Sequence, residues 1–246
     1  MESCELTHVD REPIDMARVA QQHGRYVELL RELGCQVVEL AAQPGLPDGV
    51  FVEDPAIVLD ELAVITRPGA PSRRPETASI MEALRPYRPL FEIASPGTLD
   101  GGDVIVSGQT IYVGLSSRSN QAGIDQLAEI VGPHGYEVRG VELTGCLHLK
   151  SAACAIGNDR LLVQREWIDP AQFEAKRIVE TDPAEIGAAN VVWLGDDLIY
   201  PSEFPVTAER LRQQGFRVHC LEYDELAKAE GAVTCCSLLI RGQGKS

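Results

Sequence analysis

Short apolar runs recur in pairs along the chain, at 56–59 with 63–66, 104–106 with 110–113, 153–156 with 160–163, and 191–194 with 198–200. Polar and small residues such as Gly108-Gln109 and Gly195-Asp196-Asp197 separate them, the turn chemistry of tight hairpins. Amphipathic spacing predicts helices over about 13–33, 119–134 and 206–214. Each is closed by a glycine, Gly34, Gly135 or Gly215, after which a β-rich run reopens the chain. Glycine tolerates the left-handed conformation that ends a helix, so the punctuation is physically consistent. The unit therefore reads strand, strand, helix, strand, and it returns roughly every 40 to 50 residues, a period of repeat or propeller-like architecture. This predicts an α/β protein whose 1–246 form a single domain of ββαβ units, not a doubly wound sheet. A last apolar run, 233–240, is predicted as a strand but has no helix after it. Its partner would have to come from the N-terminal residues or from a second subunit, as in a homodimer. The fifth unit thus reads as incomplete at the N-terminus, with an exposed strand edge.

Composition narrows the class without changing this picture. With 44% hydrophobic and 24% charged residues among 246, the chain has the make-up of an ordinary globular protein. No apolar run approaches the roughly 20 residues of a membrane span, and the opening MESCELTHVDRE has no apolar core to act as a secretory signal. A cytoplasmic protein with no membrane partner is expected. The formal net charge of -15 would repel nucleic acid and is compatible with a cationic ligand. Seven cysteines without a CxxC pair or regular spacing exclude a disulfide framework or structural zinc site as the organising principle.

Several polar residues stand where an apolar chain would not need them. Asp48, the Glu53-Asp54 pair and Asp100 in Asp100-Gly101-Gly102-Asp103 lie beside strand-like runs. Buried carboxylates there require a partner, and a bound cation is one. Arg73-Arg74 opens a helix, where the helix dipole disfavours a cation, and Arg118 follows Gly114-Leu115-Ser116-Ser117. A guanidinium fork matches a carboxylate, so acids and arginines together suit a zwitterionic amino acid with a cationic side chain. His148 lies between two leucines at the start of a predicted hairpin, and Cys235 lies in the last apolar run. A Cys/His pair distant in sequence can converge into an activated nucleophile, although a core histidine and a buried thiol remain open readings of the same residues.

Six ordered blocks decide between them: LPDGVFVED at 46–54, ITRPGAPSRR at 65–74, TLDGGD at 98–103, VGLSSRSN at 113–120, LHLKS at 147–151 and TCCS at 234–237. Together they resemble the dimethylarginine dimethylaminohydrolase family of the guanidine-modifying, or amidinotransferase, superfamily, from about Glu5 to Ile240. The resemblance implies a five-bladed α/β propeller (pentein) and hydrolysis of Nω-methylated arginine to citrulline and an alkylamine, with no metal and no cofactor. It puts the nucleophile on Cys235, the general acid and base on His148 and the histidine-assisting carboxylate on Asp100. Substrate-binding positions fall on Leu6 in a mobile lid, Asp48, Glu53, Asp54, Arg73, Arg118 and the carbonyl of Ala229. On this reading Asp54 and Asp100 face the guanidinium, Arg73 and Arg118 take the α-carboxylate, and Cys236 points to the opposite face of its strand. The lid-like Cys4-Glu5-Leu6-Thr7-His8 stands almost at Met1, where the family carries a first strand. The rival readings are arginine deiminase chemistry and noncatalytic amino-acid binding.

Overall fold

The computed structural model describes residues 1, 3–157, 159–174 and 177–242. The first regular element is helix α1 (Met16–Glu32), started by the Asp15 carboxylate, which accepts from the Ala17 and Arg18 amides, and ended by Gly34 at φ +88°. Four three-stranded sheets follow. They are β1 (Ala56–Val58), β2 (Ala63–Ile65) and β3 (Leu90–Glu92); β4 (Val104–Ser107), β5 (Thr110–Leu115) and β6 (Glu137–Glu142); β7 (Ala153–Ala155), β8 (Arg160–Val163) and β9 (Arg177–Glu180); and β10 (Val192–Leu194), β11 (Asp197–Pro201) and β12 (Arg217–Leu221). In every sheet the first two strands form an antiparallel hairpin, and the third pairs parallel with the second.

A parallel third strand needs a crossover, and in three sheets a helix supplies it: α2 (Thr77–Leu84), α3 (Gln121–Val131) and α5 (Pro205–Gln213). The β7–β9 unit departs from the predicted repeat. Its crossover contains a 3-10 turn at Pro170–Gln172 and no α-helix among the described residues. The turn is set by Asp169, whose side chain accepts from the Ala171 amide ahead of Phe173, and the Phe173 ring packs edge-on against Tyr112 at 5.0 Å. Phe173 thereby joins the apolar cluster between this sheet and the β4–β6 sheet. Two one-turn helices complete the chain, α4 (Leu149–Ala152) and α6 (Asp224–Ala227). No helix among the described residues is long and apolar enough to cross a membrane.

Apolar clusters lie between sheets that follow one another in sequence. Ile57 and Val64 meet Val104 and Val113; Ile105 and Tyr112 meet Leu161 and Val163; Cys154 and Leu162 meet Leu198 and Tyr200. Ile199 and Val192 then meet Tyr26, Leu30, Phe51 and Val233, while Leu238 and Ile240 pack against Ala63 and Ile65.

The expected fifth unit is not built from strands. Neither 35–42 nor 233–240 is a strand, and residues 4–8 form none. At 233–240 the reason is local: the Cys235 amide donates to Ala232 O at 3.0 Å and the Ser237 amide to Thr234 O at 3.3 Å, closing turns. Side chains and loop backbone grip this segment at Thr234, Cys235 and Ser237, overriding the β-branched, apolar pattern that predicted a strand.

Candidate active site

Asp100 closes the segment that enters the 3-10 turn Gly101–Asp103, and both of its oxygens are engaged. Oδ1 accepts from the Gly69 amide at 2.9 Å, and Oδ2 lies 3.1 Å from Nε2 of His148. His148 is not part of a strand; its extended backbone caps α4, whose first amide, Leu149 N, donates to Asp103 Oδ1 at 2.9 Å. The opposite ring nitrogen, Nδ1, is 3.9 Å from Asp54 Oδ1. Backbone must pass close by for this to happen. A Cβ on Gly102 would meet His148 Nδ1 at 2.7 Å, and one on Gly101 would meet Glu53 O at 2.1 Å, so both glycines of the DGGD segment are sterically required.

Burial alone would push His148 down, but Asp54, Asp100 and Asp103 more than offset it and raise its pKa to about 9. The imidazolium is thus the resting form at neutral pH. Asp103 is itself pushed up to about 6 by burial, against the pull of His148 and the hydroxyls of Ser116 and Ser119, which donate to its Oδ2. Asp54, Asp100 and His148 offer ligand atoms within 4.8 Å of one another and so could gather round a cation, although His148 Nε2 is already engaged by Asp100.

Cys235 lies in the 233–236 turn, partly buried, with the Ala232 amide donating to its Sγ at 3.3 Å. Burial, then Glu53 and Asp54, raises this thiol well above its usual range. Cys236 is buried, its Sγ 2.9 Å from the Tyr223 hydroxyl, and burial pushes it up to about 12. The two thiols therefore differ in surroundings as expected, though a turn and not a strand separates them.

Three expected substrate contacts are internally satisfied. Arg73, buried in the 3-10 helix Pro71–Glu76 that leads into α2, donates to Asp54 Oδ2, to Glu76 and to Phe51 O at 3.0 Å. Asp54 and Arg73, expected at opposite ends of a ligand, are here each other's partners, both buried and oppositely charged, so that each offsets the other's desolvation. Glu53 is likewise engaged, by Lys150 Nζ at 2.6 Å and the Thr234 hydroxyl at 2.7 Å. Arg118 sits on the loop between β5 and α3, with its NH1 3.9 Å from Asp100 Oδ2 and its NH2 donating to Thr7 Oγ1 at 3.0 Å.

The segment around Leu6 lies across these groups. The Glu5 amide donates to Asp48 Oδ2 at 3.1 Å, and the Thr7 and His8 amides donate to Glu230 at 2.5 and 2.7 Å. Glu230, at φ +55°, follows the buried Ala229, which shares an apolar cluster with Leu6, Phe51 and Cys235. All ten expected site residues therefore belong to one region, linked by the contacts just described. The structure adds Lys150, Asn190, Thr234, Glu76 and Glu230 to them.

Comparison with known proteins places the chain in a family. The family described as N,N dimethylarginine dimethylhydrolase, eukaryotic, matches residues 7–186. An N(G),N(G)-dimethylarginine dimethylaminohydrolase of Streptomyces coelicolor is 40% identical over 238 residues, 96% of this chain and 91% of that protein. The chain belongs to the dimethylarginine dimethylaminohydrolase family. The enzyme of the same name from Pseudomonas aeruginosa is 35% identical over 226 residues, 91% of this chain and 89% of its own. A cysteine-to-serine variant of the Pseudomonas aeruginosa protein, solved in complex with citrulline, superposes with a TM-score of 0.87 at 33% identity, covering 94% of this chain and 91% of that one.

Proposed function

We propose that this protein hydrolyses Nω-methylated arginine to citrulline and methylamine or dimethylamine through a covalent thiouronium on Cys235. The observation that carries the reading is the buried His148 ring, fixed by Asp100 through Nε2 and left with Nδ1 too far from Asp54 for a hydrogen bond. That nitrogen remains available to a leaving amine. Asp54 is the partner for the substrate guanidinium, which displaces Arg73 from it. The positive charge then offsets the carboxylates that keep Cys235 a thiol, so substrate binding promotes the thiolate, whose proton passes to solvent while His148 stays protonated. Sulfur attacks the guanidinium carbon, and the His148 imidazolium protonates the departing amine. The neutral imidazole then takes a proton from water as that water attacks the thiouronium carbon, releasing citrulline and regenerating the thiol.

Arg118 and Arg73 are assigned to the α-carboxylate, Asp48 and the Ala229 carbonyl to the α-amino group, and Leu6 to the lid. Glu53 acts at one remove, through Lys150 and the cysteine turn. The sequence of apolar clusters between successive sheets supports the five-bladed arrangement, with α1, 35–42 and 233–240 serving as an irregular fifth unit. The test is citrulline release by the purified protein from asymmetric dimethylarginine, monomethylarginine and arginine in separate reactions. Methylated substrates are expected to be turned over. Turnover of arginine alone would move the assignment to a deiminase, and binding without citrulline would move it to a noncatalytic receptor.

A further inference from the structure

The turn carrying Cys235 is short and irregular, yet a nucleophile must be held within roughly 0.5 Å of its working position. Sulfur itself is held by one long contact from Ala232. The residue before it is held far more firmly, and from a distant part of the chain. Asn190, buried two residues ahead of β10, accepts from the Thr234 amide at 3.0 Å through its Oδ1 and donates to the Thr234 hydroxyl at 3.0 Å through its Nδ2. The same Nδ2 donates to Lys150 O at 3.1 Å, in the one-turn helix capped by His148. The Thr234 hydroxyl passes its own proton on to Glu53 Oε2, and the Glu53 amide donates to Cys235 O at 3.1 Å. Glu53 is in turn fixed by Lys150.

Asn190, Thr234 and Glu53 are buried, where a lost partner is costly and a satisfied network specifies one geometry. An amide side chain fits the position because it accepts and donates at once. Aspartate would put a second oxygen against the carbonyl of Lys150, and a hydroxyl could not reach both the amide and the hydroxyl of Thr234.

We infer that Asn190 and Thr234 form a clamp that sets the distance between the Cys235 turn and the His148 helix, making both of them positioning residues for the reaction. The inference rests on Cys235 being the nucleophile proposed above. Neither residue touches the substrate in this assignment, so the clamp acts on the chemical step and not on binding.

The test combines Asn190→Ala, Thr234→Val, the double variant and Thr234→Ser, each examined in two ways. Citrulline kinetics should show kcat lowered by roughly 10²-fold in Asn190→Ala and Thr234→Val with KM held, the size expected of a misplaced reacting group. The double variant should be no worse than the worse single one, because the two residues act as a unit. Thr234→Ser, which keeps the hydroxyl, should recover most of the rate. Independently of turnover, alkylation by neutral iodoacetamide, mapped by peptide mass spectrometry, should rise at Cys235 alone, with the buried Cys154 and Cys236 still protected. Equal exposure of all three cysteines would reduce the clamp to a contribution to general stability and overturn the inference, as would wild-type kcat in either single variant or multiplying losses in the double. Should the wild-type protein form no citrulline from any arginine, the functional assignment fails, while the alkylation pattern still decides whether the clamp holds Cys235.

Discussion

Replacing Gly102 by alanine perturbs the site by a single methyl group at a known place. Its Cβ would lie 2.7 Å from His148 Nδ1 and 2.8 Å from Asp54 Oδ1, whereas ordinary contact begins near 3.4 Å. The ring must therefore retreat by the difference, about 0.7 Å, and the carboxylate by about 0.6 Å. Neither can move freely, since His148 is tied to Asp100 and Asp54 to both Arg73 and the Gly102 amide. Added strain of about 1–3 kcal/mol is expected in the thermal midpoint. Displacement of an acid and base group by this distance should lower kcat by roughly 10²-fold. The alkaline limb of the rate profile should also move down from about 9, because the carboxylates that raise the pKa of His148 are pushed from it. Gly24→Ala is the control: it lies within α1 with nothing within 4 Å of the new Cβ, so it should leave kcat unchanged and stabilise by about 0.4–1 kcal/mol. A Gly102→Ala protein with the wild-type kcat and the wild-type alkaline limb would refute the argument that this backbone approach sets the position of His148.

Three further outcomes follow from the same geometry. Cys235→Ser should abolish citrulline formation and Cys236→Ser should leave most of it, since the Cys236 thiol is bound to Tyr223 in the interior; the reverse result would exchange their roles. Arg118→Ala should raise KM for amino-acid substrates more than for analogues lacking the α-carboxylate, whereas Arg73→Ala should in addition lower the thermal midpoint by the equivalent of about 3–5 kcal/mol, because it strands buried Asp54 and Glu76. Identical, purely kinetic effects of the two would contradict the buried pairing. The folded pKa of His148 is raised from 6.5 to about 9, so its stabilising contribution is full below 6.5 and is lost as pH rises through 9; calorimetry should show this decline in the wild type and a flatter profile in His148→Gln.

Much of the fold was legible because it rests on local signals. Hairpins with glycine or aspartate in their turns and helices ended by Gly34 and Gly215 report directly on backbone conformation, and the observed elements lie within a few residues of the expected ones. The helix expected to open at Arg73-Arg74 is there, as the 3-10 turn Pro71–Glu76 running into α2, but the strand β3 went unread: Leu90–Glu92 is only three residues long, with Phe91 and Glu92 exposed, so no alternating pattern announces it. Between β8 and β9 the described residues hold no α-helix, the converse case, where a repeat seen in other units was extended to one whose sequence supports an anchored turn.

The site was legible to a different depth. Chemistry-bearing residues such as Cys235, His148 and Asp100 stand out because their types are unusual in apolar surroundings, but their partners do not. The charge pattern contained a clue to one of them. Lys150 follows Leu147-His148-Leu149 within a predicted core hairpin, where a lysine must find a carboxylate, and Glu53 was a carboxylate in need of a cation. Their pairing at 2.6 Å satisfies both requirements. Asn190 offered no such clue. An asparagine preceding a strand is most often a turn residue facing water, and only the folded chain brings it against Thr234, 44 positions away. Local sequence therefore offers candidates for the reacting groups, which the resemblance of the six ordered blocks sorts, while the groups that hold them in register are set by contacts between distant segments. The consequence is a division of labour: substitutions at the first kind should remove turnover outright, and substitutions at the second should leave binding in place and slow the chemical step.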